Sequence, residues 1–401
     1  MNINIILHRI VSEVKAYAIN KDNKRDFSIW IFGEWFGKKC SDNVCAFANY
    51  VAEHGDSQLK LFWICNEGTD TSCLHNRVKV INRRSEQSIN LQKTAGVAIM
   101  NQGYDDFSDE GNNYLGNAIS INLWHGVMWK KIGYDSYPDN LFTKLYINVV
   151  KRVKEYSLFV APSNIYADYF SEAFRINKFR AIYAGYPRNE LFFDQNRIDC
   201  CRKKIIEYVR SLKVNVNGDT HIITYMPTFR DETTKAFSFS SYRVTELDAF
   251  LEKNNCIIIQ KSHERNIERG AGYGHGGERR VINIDSYPPQ ELLAGTDILV
   301  TDYSSCLFDF LLLNRPIIQF VYDYEYYSTK DRGLYYSFEN VDCGNVIRDE
   351  FQLLDAIQDC VLHPDKDQTK RALIKSKFMT YECRDNSRII YESIQKCIKE
   401  Q

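Results

Sequence analysis

Residues 297–313 read Asp-Ile-Leu-Val-Thr-Asp-Tyr-Ser-Ser-Cys-Leu-Phe-Asp-Phe-Leu-Leu-Leu. The apolar run 298–300 has the length of a buried strand. It stops at Thr301-Asp302, and apolar residues resume at helical density after Ser304-Ser305. Asn314-Arg315-Pro316 then closes the helix, because proline cannot continue one and the residue before it avoids the helical region. Strand, polar turn and helix make the βα unit of a parallel sheet, whose ligands bind beyond the carboxyl ends of the strands. Ser304 and Ser305 fall where N-cap and first-turn residues belong, so their hydroxyls and the unpaired backbone N–H groups suit a phosphate. The plain alternative is a helix cap with no ligand. Thr301, Asp302 and Asp309 cluster around the same turn and favour a site.

The same rhythm extends both ways. Strand-like runs occupy 28–33, 59–65, 78–81, 95–100, 118–123, 158–161 and 181–184, with helical segments between them, one of them opened by Asp42-Asn43. A charged helix and the polar stretch 213–219 follow. A second series then has strands at 221–225, 256–260, 281–284, 298–300 and 317–320. A chain of 401 residues exceeds the usual single-core size. The expectation is α/β: two doubly wound parallel-sheet domains facing a central cleft, with a helical C-terminal tail that could pack back on the first domain. The glycines at 272, 274 and 277 have dinucleotide-fingerprint spacing, but they follow polar residues and lead into a strand. They read as a loop.

Composition narrows the function. Apolar residues at 44% and charged residues at 26% are those of a soluble globular protein, and a net charge of −1 gives no reason to expect nucleic acid as a partner. The twelve cysteines contain no Cys-x-x-Cys pair and read as free buried thiols of a reducing compartment, not as disulfides or a zinc site. No signal peptide or run of about 20 apolar residues is visible, which points to the cytoplasm. Residues 1–26 begin with Ile3, Ile5, Ile6 and Leu7 and end near a lysine-rich stretch. They suit an amphipathic helix on the inner face of a membrane, or equally a first strand or packing helix.

Five strand ends carry groups suited to anionic oxygen: Trp124-His125-Gly126 followed by Lys130-Lys131, Gly185-Tyr186-Pro187-Arg188, Pro227-Thr228-Phe229-Arg230-Asp231, Lys261-Ser262-His263, and the 301–305 turn. Each alone has a bland reading as a turn, a cap or a surface pair. Together they offer cations, helix N–H groups and an imidazole base, which suits a diphosphate substrate. There is no Gly-x-x-x-x-Gly-Lys-Ser/Thr loop and no carboxylate cluster of the magnesium type, so protein cations are expected to do the work of a metal in phosphoryl or glycosyl transfer.

These segments, with Trp30-Ile31-Phe32-Gly33, Lys130-Lys131-Ile132-Gly133, Phe308-Asp309 and Arg332-Gly333, resemble the CDP-glycerol glycerophosphotransferase family of teichoic-acid primases and polymerases, in order across most of the chain. The resemblance implies a GT-B-like fold. Residues 27–195 would form an N-terminal Rossmann-like acceptor domain and 196–385 a C-terminal CDP-donor domain, with 1–26 and 386–401 as terminal segments. It implies transfer of glycerol phosphate or ribitol phosphate from CDP-glycerol or CDP-ribitol to a polyol-phosphate, glycan or lipid-linked acceptor, in wall or capsule polymer synthesis, with peripheral membrane contact and no cofactor or metal. A GT-B glycosyltransferase using a nucleotide-sugar is the alternative. By motif, His125 would deprotonate the acceptor hydroxyl, which attacks the β-phosphorus as CMP leaves. His263, Arg230 and Lys261 would neutralise the diphosphate; which histidine is the base stays open. Thr228, Thr301, Asp302, Ser304, Ser305 and Asp309 would complete the donor site, and Lys130, Lys131 and Arg188 the acceptor side or cleft. Val127-Met128-Trp129 stands where the family commonly has Thr-Pro-Leu, placing bulk beside the candidate base, and Glu264 stands where proline often follows the histidine.

Overall fold

The computed structural model describes residues 11, 24–108, 114–136, 156–228, 237–263, 275–276, 279–325 and 333–401. Arg230, Glu264, Arg332 and the amphipathic reading of residues 1–23 lie outside these residues, apart from Val11.

The first sheet contains β1 (Asp26–Phe32), β2 (Lys60–Cys65), β3 (Val78–Asn82), β4 (Ala95–Met100), β5 (Ile119–Asn122), β6 (Leu158–Ala161) and β7 (Ala181–Tyr183). Their order is β3-β2-β1-β4-β5-β6-β7, with parallel pairing throughout. The chain therefore reverses direction across the sheet between β1 and β4. Every residue of β4 is buried, as a parallel strand covered on both faces must be. Gly96 is needed there: a Cβ on it would come within 2.5 Å of the Phe27 Cα, where the β1–β4 register also shifts. Helices α1 (Asn43–His54), α2 (Glu86–Thr94) and α3 (Asn164–Phe174) are capped by Asp42, Ser85 and Ser163, each accepting a backbone N–H of the first turn.

After α4 (Gln195–Ser211), the second sheet contains β8 (His221–Tyr225), β9 (Cys256–Gln260), β10 (His275–Gly276), β11 (Val281–Ile284), β12 (Ile298–Thr301), β13 (Ile317–Phe320) and β14 (Asn345–Ile347). The order is β10-β11-β9-β8-β12-β13-β14, with the reversal between β8 and β12. All its pairs are parallel except the short edge strand β10, which lies inside the glycine-rich stretch read as a loop and pairs antiparallel with β11. Period-two alternation explains why both faces are covered. Ile257 and Ile259 join one core with Ile205, Val209 and Leu292, while Cys256 and Ile258 join the other with Leu247, Val300 and Ile357. The helices are α5 (Val244–Lys253), α6 (Pro289–Gly295), α7 (Cys306–Phe310), α8 (Leu353–Leu362), α9 (Gln368–Phe378) and α10 (Asn386–Lys399).

The chain divides into two compact units. The first comprises Met1–His125, Ile132–Glu190 and Tyr381–Gln401; the second comprises Gly126–Lys131 and Leu191–Thr380. Each carries one doubly wound sheet, the arrangement of a GT-B-like fold. No helix among the described residues is long and apolar enough to cross a membrane.

Candidate active site

In the first unit the loops after β1 and β4 meet at the point where strand order reverses. Trp35 N–H donates to Asn101 Oδ1 (3.1 Å), and Phe36 N–H donates to Asp106 Oδ1 (2.7 Å). The other Asp106 oxygen accepts the N–H groups of Asn101 and Gln102 at 3.0 and 2.8 Å. Burial outweighs these bonds and pushes the Asp106 carboxyl up to about 7.

His125 stands just beyond β5, next to this crossing. Its half-buried ring stacks on Trp124 (centroids 4.4 Å apart) with Trp35 at 5.4 Å. Nδ1 lies 3.2 Å from the Gln102 amide nitrogen and 3.5 Å from the Asn101 carbonyl oxygen. Trp124 is held at φ 54°, a left-handed conformation that costs a bulky residue about 1–3 kcal/mol. Two bonds over-determine it: its N–H donates to Asn122 Oδ1, and its carbonyl accepts from Asn43 Nδ2. Asp42, the cap of α1, also accepts from Trp35 Nε1 (2.8 Å) and from Arg188 Nη1 (2.7 Å), in an ion pair almost wholly buried. Burial works to raise the Asp42 carboxyl, but Arg188, His125 and the Trp35 bond outweigh it and the net shift is downward. Arg188 is thus committed to Asp42. Asn101, Gln102, Asp106 and Trp35 were missed in the sequence; the crossing of β1 and β4 is the signal that finds them.

The second unit repeats the device. The Asp302 carboxylate beyond β12 accepts Thr228 N–H beyond β8 (2.9 and 3.1 Å), as well as the Tyr303 N–H (2.6 Å). Thr301 Oγ1 donates to the Met226 carbonyl at 2.7 Å. Asp302 is 1% exposed and Asp309, which accepts from Gln290 Nε2 at 3.1 Å, equally so. Both carboxylates brace the turn. Ser305 takes the N-cap position of α7, but in helical conformation and without a side-chain cap bond; Ser304 Oγ accepts the Cys306 N–H at 3.4 Å. The two serines are half-buried at the mouth of the turn. The helix continues as a tighter turn through Leu313, and Asn314 at φ 52° closes it ahead of Arg315-Pro316. Lys261 and His263 lie two residues apart just beyond β9. Lys261 is 3% exposed, and its ammonium donates to the Asp285 carbonyl, while His263 is half-buried.

Val127-Met128-Trp129 is built into a core. It belongs to the second unit, where all three side chains are buried. The Trp129 ring lies 6.1 Å from those of Tyr303 and Phe308 and 5.7 Å from Phe338, and its Nε1 donates to the Tyr336 carbonyl. Lys130 bridges to Leu334, and Lys131 N–H donates to the Gly333 carbonyl, so the backbone of this lysine pair is also part of the second unit.

Comparison with known proteins identifies the chain's relatives. The model of the family described as CDP-Glycerol:Poly(glycerophosphate) glycerophosphotransferase matches residues 17–396. The chain is 26% identical over 379 residues to the teichoic acid glycerol-phosphate transferase of Staphylococcus aureus, covering 91% of this chain and 92% of that one. It is 27% identical over 342 residues to the teichoic acid poly(glycerol phosphate) polymerase of Bacillus subtilis, covering 82% of this chain but only 43% of that larger protein. Among solved structures, the wall teichoic acid polymerase TagF superposes with a TM-score of 0.76 over 100% of this chain and 99% of that one, at 21% identity.

Proposed function

The chain belongs to the CDP-glycerol:poly(glycerophosphate) glycerophosphotransferase family, and from that premise we propose that it moves glycerol phosphate from CDP-glycerol to a hydroxyl of a polyol-phosphate, glycan or lipid-linked acceptor, releasing CMP. The observation that carries this reading is the oriented imidazole of His125, stacked on one tryptophan and beside another, with Nδ1 engaged. His125 Nε2 takes the acceptor proton as the hydroxyl oxygen bonds to the β-phosphorus. The bond from that phosphorus to the bridging oxygen breaks, and CMP leaves with the electron pair. A positioned base is worth about 10²–10⁴-fold in rate. Asp42 stabilises the imidazolium that forms, consistent with the mutual influence of the two groups.

Donor phosphates are assigned to the second unit. Ser304 and Ser305 supply hydroxyls, and His263 and Arg230 supply positive charge. Asp302, Thr301, Asp309 and Lys261 act one layer back: their contacts are with backbone and side chains that hold the turns. Peripheral membrane contact, if the acceptor is lipid-linked, falls to the N-terminal segment.

The test is CMP release from CDP-glycerol, CDP-ribitol and a set of UDP- and GDP-sugars, alongside thermal shifts with the same compounds, since binding to the folded state raises stability. Cytidine-specific stabilisation and CMP release with CDP-glycerol are expected. His125→Ala should abolish release while retaining the shift. Turnover of a sugar nucleotide instead would replace this reading with glycosyl transfer.

A further inference from the structure

Three cysteines that no part of the proposed reaction uses converge beside α1. Cys45 Sγ lies 3.4 Å from Cys73 Sγ, Cys73 Sγ lies 3.6 Å from Cys40 Sγ, and all three sulfurs fall within 4.8 Å of one another. Among the described residues this is the one group of three metal-type ligands so close together. An ion bound by thiolates at about 2.3 Å in tetrahedral geometry needs its sulfurs about 3.8 Å apart, so the triad is near the required spacing before any ion enters.

The surroundings fix that spacing. Glu34, fully buried, accepts the backbone N–H groups of Ser41, Asp42 and Cys45, which ties down both sides of the Cys40–Cys45 turn. Asn49 on α1 donates to the Cys73 carbonyl (2.9 Å) and accepts the His75 N–H (2.8 Å), pinning the loop that brings in the third sulfur. Thr69 ties the same loop to the Gly37 carbonyl. Cys40 and Cys45 are 6% and 5% exposed, whereas Cys73 is exposed and opens the cluster to solvent. The spacing along the chain, four residues between the first two cysteines and 27 before the third, matches no simple motif, so only the fold reveals the group.

We propose that Cys40, Cys45 and Cys73 form a binding site for a thiophilic d10 cation, with Zn2+ held by three thiolates and one solvent ligand on the Cys73 side. Soft sulfur ligands select Zn2+ or Cu+ over the hard cations of phosphate chemistry, and the solvent-facing fourth position suits Zn2+. Each thiol that ligates surrenders its proton to solvent, so binding releases protons and weakens as pH falls. Loading would lock the turn that carries Asp42, and through it the Asp42–Arg188 pair.

The experiment uses Co2+ as a spectroscopic stand-in, titrated into the reduced, chelator-free protein. One equivalent should give sulfur-to-cobalt charge-transfer absorption with the visible bands of a tetrahedral site, and one equivalent of Zn2+ should bleach them. The signal should be lost in Cys73→Ser, at an exposed position where serine should leave the melting temperature unchanged, and in Cys45→Ser, and should persist in Cys200→Ser. Absence of charge-transfer absorption, or its survival in Cys73→Ser, would show only a hydrogen-bonded thiol cluster and overturn the proposal. Preference for Cu+ with no Zn2+ competition would overturn the assignment of the ion.

Discussion

Nδ1 of His125 has two neighbours, the Gln102 amide and the Asn101 carbonyl oxygen. A side-chain amide can present either end. When Gln102 presents its oxygen, both neighbours accept, Nδ1 carries the proton and Nε2 keeps the lone pair a base needs. A neutral hydrogen bond contributes about 0.5–1.5 kcal/mol, so Gln102→Ala should lower turnover about 2- to 10-fold. Gln102→Glu places a carboxylate beside the imidazole, favours its charged form and should move the acid limb of the pH–rate profile upward. An unmoved limb would remove Gln102 from this role. Asp106, which holds the Gln102 backbone, titrates in the fold at about 7 because burial raises it, against about 3.9 when unfolded. Its neutral form therefore contributes stability that is fully present below about pH 4 and lost as pH rises through about 7. Asp106→Asn lacks this titration, so its melting temperature should fall less steeply across that window than that of the unsubstituted protein. Parallel slopes would show that Asp106 is ionised throughout.

At the scale of elements, each sheet is tied across its crossing point by a carboxylate on the later loop that accepts an N–H from the earlier loop as well as from its own. In the second unit this is Asp302, bonded to Thr228 and Tyr303. Leaving two buried N–H groups without an acceptor costs about 1–3 kcal/mol each, so Asp302→Ala should destabilise by about 2–6 kcal/mol and raise the KM for donor more than that for acceptor. Asp302→Asn keeps one acceptor oxygen and should recover part of both losses. Equal changes in the two KM values would contradict a donor-side brace. The sequence made the strands legible because parallel strands buried on both faces are unbroken apolar runs: β4, β6, β8, β9, β11 and β13 begin and end where those runs do. The three-residue β14 and two-residue β10 carry too little pattern to see. Side-chain roles were less legible. Whether Asp302 or Lys261 faces a ligand or a backbone group is decided by loop geometry, and that Trp129 fills a core is decided by partners some 200 residues away. Residue type gives neither.

At the scale of the molecule, the first unit is assembled from three stretches of chain, and the last, Tyr381–Gln401, completes it from 190 residues beyond the second. Glu382 accepts the Tyr186 N–H and Asn189 Nδ2, Asn386 accepts the Gly185 N–H, and Glu190 accepts the Ser387 N–H. Gly185 has no side chain where Glu382 and Asn386 approach, and a Cβ there would collide with both. α10 buries Ile390 and Ile394, while Tyr391 lies 5.7 Å from the Trp30 ring. Two buried isoleucines are worth about 1.5–3 kcal/mol each, and the orphaned N–H groups add to the loss. Deleting 381–401 should therefore remove much of the first unit's stability, which for an ordinary domain is about 5–15 kcal/mol. The loss reaches the candidate base directly, because Tyr186 and Asn189 flank Pro187 and Arg188, and Arg188 neutralises Asp42 near His125. Limited proteolysis of the truncated protein should cut within 24–190 first and spare 237–380, with CMP release lost. A digestion pattern matching that of the full chain would mean that the C-terminal segment decorates the first unit without supporting it.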